Sequence, residues 1–120
     1  METIQVNARL RIKSGQRQAF EDLARQIIQA VREREPETLQ YLWYMNENGS
    51  ECIVREIYAS SEAALAHVRN TGDLVSRLVE TAELELVLFG PASKELREVA
   101  ARFNAPVYDA FDGVDRLTPG

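Results

Sequence analysis

The chain has 120 residues, of which 45% are hydrophobic and 28% charged, with a formal net charge of -5. This length and balance fit one folded domain, and the negative charge works against nucleic acid or an anionic membrane surface as a partner, since both are bound through clustered Lys and Arg. A lone cysteine, Cys52, excludes an internal disulfide and offers no thiolate metal cluster, and the start Met1–Val6 has neither the basic nor the apolar region of a secretory leader. No apolar run approaches the roughly 20 residues that span a bilayer, so a cytoplasmic location is expected.

Residues Thr3 to Ile12 alternate, with Ile4, Val6, Ala8, Leu10 and Ile12 on one face and Gln5, Asn7, Arg9 and Arg11 on the other. That period of two predicts a strand with one apolar face. Ser14-Gly15 turns the chain. From Gln16 to Arg34, Phe20, Leu23, Ala24, Ile27, Ile28 and Val31 fall on one helical stripe. Pro36 ends this helix by pushing the residue before it out of the helical region.

Thr38 to Met45 is a second strand with bulky groups on both faces: Leu39, Tyr41, Leu42, Trp43 and Tyr44. Asn46-Glu47-Asn48-Gly49 is a hairpin signal, and Glu51 to Ala59 is the third strand. A helix starts at Ser61, with Ser60 or Ser61 where an N-cap belongs and Glu62 in its first turn. It is expected to break near Thr71-Gly72, with Asp73 capping a second segment that carries Leu74, Val75, Leu78 and Val79. Glu83 to Phe89 is the fourth strand, stopped by Gly90-Pro91.

The order β-α-β-β-α-β predicts an α+β, ferredoxin-like split βαβ unit, in which an antiparallel sheet has its first strand between the third and the fourth and helices cover one face. The whole chain, 1–120, reads as a single domain with a core over 3–90 and an extension over 91–120. In the extension, Ser93 caps a helix reaching Phe103, and Pro106 to Phe111 offers a fifth strand. Apolar and aromatic groups on both faces of the second strand leave the uncovered sheet face unsuited to water. That face is expected to pack on a second copy in a two-fold homodimer.

No dinucleotide fingerprint, P-loop or metal-ligand spacing occurs, so no cofactor is expected from motifs. Several stretches do carry a likeness: Asn7-Ala8-Arg9-Leu10, Glu35-Pro36-Glu37-Thr38-Leu39-Gln40-Tyr41, Glu56-Ile57-Tyr58-Ala59-Ser60-Ser61-Glu62-Ala63-Ala64-Leu65-Ala66-His67 and Leu86-Val87-Leu88-Phe89-Gly90-Pro91. In these the chain resembles the antibiotic biosynthesis monooxygenase superfamily. The resemblance implies a dimeric α+β barrel and, for part of the family, oxygenation of quinols or polycyclic phenols by dioxygen without metal or flavin. Other members degrade haem or isomerise small metabolites. The chain departs from the haem-degrading pattern: His67 stands where those enzymes have tryptophan, and no second histidine is present to ligate iron. Glu37 replaces the usual glycine after the Glu-Pro pair.

His67, the chain's one histidine, is the first candidate for a base, because histidine ordinarily changes charge near neutral pH. The competing reading is a surface helical histidine. Asn7 and Arg9 lie on the polar face of the first strand, which the expected dimer turns into the inter-sheet space. Asn7 is placed to orient a substrate oxygen or dioxygen, and Arg9 to stabilise an oxyanion or, instead, to pair with Glu56 or Glu85 across the strands. Tyr41, Trp43 and Tyr58 are either core aromatics or the lining of a cavity for a flat aromatic substrate. The expected activity is cofactor-independent monooxygenation of a small quinol-like or phenolic compound. The rivals are a non-catalytic small-molecule-binding dimer and an isomerase on the same fold.

Overall fold

The computed structural model describes residues 2–117. Its elements run β1 (Ile4–Ile12), α1 (Arg17–Arg34), β2 (Thr38–Met45), β3 (Glu51–Tyr58), α2 (Ser61–Leu78), β4 (Ala82–Phe89), α3 (Lys94–Arg102) and β5 (Val107–Tyr108). The sheet order is β2-β3-β1-β4-β5. The first strand is therefore central, flanked by antiparallel β3 and β4, and β2 pairs antiparallel with β3. β5 is the exception: it joins β4 in parallel, through Leu88–Val107 and Phe89–Tyr108. The fold is the ferredoxin-like α+β unit with an added helix and strand.

Alternation fixes the layers. Ile4, Val6, Ala8 and Leu10 of β1 and Cys52, Val54, Glu56 and Tyr58 of β3 are buried beneath the helices, while Asn7, Arg9 and Arg55 face away and are exposed. On this covered side, one cluster joins Leu10, Cys52 and Val54 to Phe20, Leu23 and Ile27 of α1. Another joins Ile4, Val6, Tyr58 and Leu88 to Ala63, Ala64 and Leu65 of α2 and Leu96 and Ala100 of α3. Cys52 belongs to this core, where burial pushes its thiol up to about 11 against a hydrogen bond from the Tyr44 backbone.

Helix α2 corrects one expectation. It is continuous from Ser61 to Leu78, with no break at Thr71-Gly72 and no cap at Asp73. One interior glycine costs only about 1 kcal/mol relative to alanine. Thr71 adds to the turn by donating its hydroxyl to the His67 carbonyl at 2.8 Å. The helix starts as expected, with the Ser60 hydroxyl accepting from the Ala63 N–H at 3.1 Å. Gly90, after β4, is a position only glycine fills: φ is +124°, and a Cβ would meet the Thr3 carbonyl at 2.6 Å.

The fifth strand is shorter than the Pro106–Phe111 stretch expected for it, because only Val107 and Tyr108 find ladder partners on β4. Beyond it the chain leaves the sheet, with Phe111 and Leu117 101% and 95% exposed. The uncovered sheet face carries Leu42, Tyr44 and Phe89, all exposed. Among the described residues no helix is long and apolar enough to cross a membrane.

Candidate active site

The side chains that matter are set by three local devices. Pro36 forces Glu35 out of the helix at the end of α1, to φ -127° and ψ 76°. This is the point at which the Glu35 carboxylate meets α2. The uninterrupted α2 holds His67 at its middle, and β3 alternation turns Glu56 and Tyr58 inward beneath it.

His67 Nδ1 lies 2.9 Å from Glu35 Oε1 and 3.2 Å from Oε2, with the imidazole and both glutamates buried. Glu35 is held from other directions as well: Thr38 Oγ1 donates to Oε1 at 2.7 Å, and Asn70 Nδ2 donates to Oε2 at 2.7 Å. Asn70 Nδ2 also donates to the Ala30 carbonyl at 3.0 Å, tying the amide to α1. Burial by itself would raise the Glu35 carboxyl. The bonds from His67 and Asn70, the histidine's charge and the Thr38 bond outweigh it, so the group sits below its ordinary range. In the neutral imidazole, a carboxylate fixed on Nδ1 places the proton there and leaves Nε2 as the lone pair.

Nε2 points toward Glu56, whose Oε1 is 4.0 Å away. Oε1 also accepts a short hydrogen bond from the Tyr58 hydroxyl. Glu56 is buried on the apolar side of the sheet, and burial raises its carboxyl despite the opposing charge of His67 and the Tyr58 bond. The rings of Tyr41 and Tyr58 flank the imidazole, with centroids at 5.1 and 5.2 Å. Burial and the nearby carboxylates hold both phenols well above their ordinary values, so both stay neutral.

These groups line a cavity of about 210 Å³ between the sheet and the helices. Its remaining walls are almost wholly apolar and include Val54, Trp43, Val75, Leu86 and the exposed Val79 and Phe103. Gly72 lies on this wall, and a Cβ there would meet no atom within 4 Å, so the glycine leaves open space. Trp43 packs against Phe20 and Tyr41 at 6.0 and 5.9 Å. Its Nε1 is buried with no hydrogen-bond partner among the described residues.

The structure divides the residues expected from sequence. His67, Tyr41, Trp43 and Tyr58 share the cavity. Asn7 and Arg9 lie on the other side of the sheet, in a groove with Ile53, Val87 and Phe103, and do not join His67. Arg9 is half-exposed and pairs with Glu51 at 3.8 Å and Glu85 at 4.0 Å. The expected alternative of Glu56 as its partner is ruled out by parity: Arg9 stands opposite Ile53, and Glu56 faces the helices. Glu35 and Glu56 were not among the expected site residues. A signal for Glu56 was available, since it shares parity with Cys52, Val54 and Tyr58, an apolar row in which a carboxylate has no surface role.

The model of one protein family, described as antibiotic biosynthesis monooxygenase, matches residues 3–72, more than half of the chain. The chain belongs to that family. The matched segment contains Glu35, Glu56 and His67 and ends at Gly72. Among solved structures, MupZ from Pseudomonas fluorescens is similar at 22% identity and a TM-score of 0.84, over 98% of this chain and 97% of that one. Rv0793 from Mycobacterium tuberculosis is similar at 21% identity and a TM-score of 0.67, over 78% and 98% of the two chains. A variant of SnoaB, a cofactor-independent oxygenase from Streptomyces nogalater, is similar at 11% identity and a TM-score of 0.65, over 78% and 97%. These likenesses establish the fold, and the MupZ match extends it through the C-terminal extension. No curated protein sequence matches the chain.

Proposed function

We propose that this family member is a cofactor-independent monooxygenase acting on a small quinol-like or phenolic compound held between sheet and helices, with His67 as the base. The observation that supports it is the buried Glu35–His67 pair at 2.9 Å, whose imidazole lines an apolar cavity. Glu35 is the positioning residue: it fixes the tautomer and stabilises the imidazolium formed when Nε2 takes a phenolic proton. The oxyanion left behind is electron-rich and reduces dioxygen. A quinol and dioxygen give a hydroxylated quinone and water, so the substrate supplies every electron. One oxygen atom enters the ring, and the other leaves with the two hydrogens lost. Apolar walls suit a flat ring and keep water from the oxyanion.

The working unit in this reading is a homodimer joined through the uncovered sheet face, where Leu42, Tyr44 and Phe89 are exposed. Asn7 and Arg9 then belong to the interface groove and not to the proton transfer. The exposed tail residues Phe111, Val114 and Leu117 find cover against the same neighbour. The absence of a spanning helix among the described residues, together with the acidic composition, fits action on a dissolved compound in the cytoplasm.

The test is turnover of a quinol panel under ¹⁸O₂. The expected product carries one labelled oxygen atom, with uptake of one dioxygen per product. A second reading has its own support: a base and a buried carboxyl 4.0 Å apart suit shuttling a proton between two atoms of one substrate, as an isomerase does. Deuterium exchange into a bound substrate without oxygen uptake would select that reading. Binding with neither would make the chain a metabolite-binding dimer.

A further inference from the structure

The gap between His67 and Glu56 has a chemical meaning beyond proton abstraction. A separation of 4.0 Å between Nε2 and Oε1 is too long for a hydrogen bond between them. It is the right span for one oxygen atom sitting about 2.8 Å from each. The two sides of that gap are not equivalent. Nδ1 is committed to Glu35, so in the neutral imidazole Nε2 offers a lone pair. The Glu56 carboxyl stands among Tyr41, Tyr58 and apolar side chains, and the groups facing it are the imidazole, the Tyr58 hydroxyl and, behind the imidazole, Glu35. Among the described residues no Lys or Arg lines the cavity. A buried carboxylate with no cation beyond an imidazole is costly, and a protonated one is not.

We propose that His67 and Glu56 grip a single hydroxyl oxygen of the ligand, Nε2 accepting its proton while the protonated Glu56 carboxyl donates to it, so that the cavity takes uncharged hydroxylated rings and rejects their carboxylate analogues. This deepens the oxygenase reading by naming what the site recognises, and its binding half holds with or without turnover. During the reaction the ligand O–H bond breaks and an N–H bond forms at Nε2. The oxyanion then keeps the hydrogen bond from Glu56, which strengthens as charge develops. Glu56 is thereby a catalytic residue in contact with the reacting oxygen. A carboxylate ligand in the same place would meet Glu56 with Glu35 close behind, and no cation beyond an imidazole already paired to Glu35 to balance it.

The chain's one tryptophan supplies the readout, because Trp43 is a wall of the cavity and gives a single indole N–H signal by NMR. Three probes of one shape are titrated under nitrogen: p-cresol, toluene and p-toluate. The expected order is p-cresol tightest, with toluene and p-toluate each about tenfold weaker or more, the worth of one buried hydrogen bond. Glu56→Gln, whose amide still donates, is expected to keep p-cresol affinity within about threefold, whereas Glu56→Leu loses about tenfold for p-cresol and nothing for toluene. Infrared difference spectra of wild type against Glu56→Gln should contain the C=O stretch of a protonated carboxylic acid. Equal binding of p-toluate and p-cresol by the wild type would overturn the proposal even if both variants failed to fold. So would a Glu56→Gln loss as large as that of Glu56→Leu. Because the titrations exclude oxygen, a failed ¹⁸O₂ experiment with this binding pattern intact removes the oxygenase reading and leaves the oxygen grip standing.

Discussion

His67 Nδ1 and Glu35 Oε1 are 2.9 Å apart although 32 positions separate the two residues in the chain. The contact joins the end of α1 to the middle of α2, and it exists because Pro36 turns Glu35 out of its helix where α2 crosses. Glu35 accepts from Thr38 and Asn70 as well, so the imidazole is held against a carboxylate that is itself held.

The first prediction concerns that pair. Glu35→Gln keeps the volume and removes the charge that stabilises an imidazolium. With His67 as base, it should lower kcat by roughly tenfold to a hundredfold and leave KM within about twofold. Steady-state oxygen uptake checks this. An equal fall through KM alone would assign Glu35 to binding.

The two glutamates predict opposite pH dependences of stability. Glu35 lies below its ordinary value of 4.5 when folded, so its contribution is present above that value and lost as pH falls through the folded one. Glu56 lies above 4.5 when folded. It keeps a proton that the unfolded chain has released, so stability declines as pH climbs from 4.5 through the raised value. Urea melts across pH should therefore find Glu56→Gln flatter than wild type on the alkaline side. Glu35→Gln should be flatter on the acid side.

Gly72 separates stability from cavity volume. It sits inside α2 with open space where a Cβ would be, and it lines the cavity. Gly72→Ala should stabilise by about 0.5–1 kcal/mol, a rise of roughly 2–5 °C in Tm. Gly72→Leu should fill the cavity and weaken a two-ring ligand more than a one-ring ligand. Calorimetry and matched titrations measure both effects.

The uncovered sheet face predicts an assembly. Light scattering should give the mass of two chains for the wild type. Leu42→Lys with Tyr44→Lys should give one chain with unchanged far-UV circular dichroism, because both side chains are exposed in the single chain. A wild-type mass of one chain contradicts the dimer.

Most of the fold was legible because its signals are local. Alternation in β1, the stripe of α1, Pro36 and the Ser60 cap each act within a few residues. The continuous α2 was not, since a lone Gly72 costs little once the helix packs. Its side chain's absence shapes the cavity instead. The site was half legible. His67 and the aromatic wall could be named, and parity put Asn7 and Arg9 on the polar face of β1, but that face is the one turned away from His67, so the two sets do not meet within one chain. Glu35 escaped because, in an acidic chain, a carboxylate outside a strand stands out only by the company it keeps in space, whereas Glu56 was marked by its apolar row and passed over. That company comes from α1, α2 and β3 together.

The measurement that bears most directly on the central claim is the rate of oxygen uptake by His67→Ala against wild type on a quinol that the wild type turns over. With His67 as base, the variant should lose about a hundredfold or more in kcat while still binding the quinol. It should recover in part at a pH high enough to ionise the quinol in solution. Full turnover by His67→Ala at neutral pH would contradict the account.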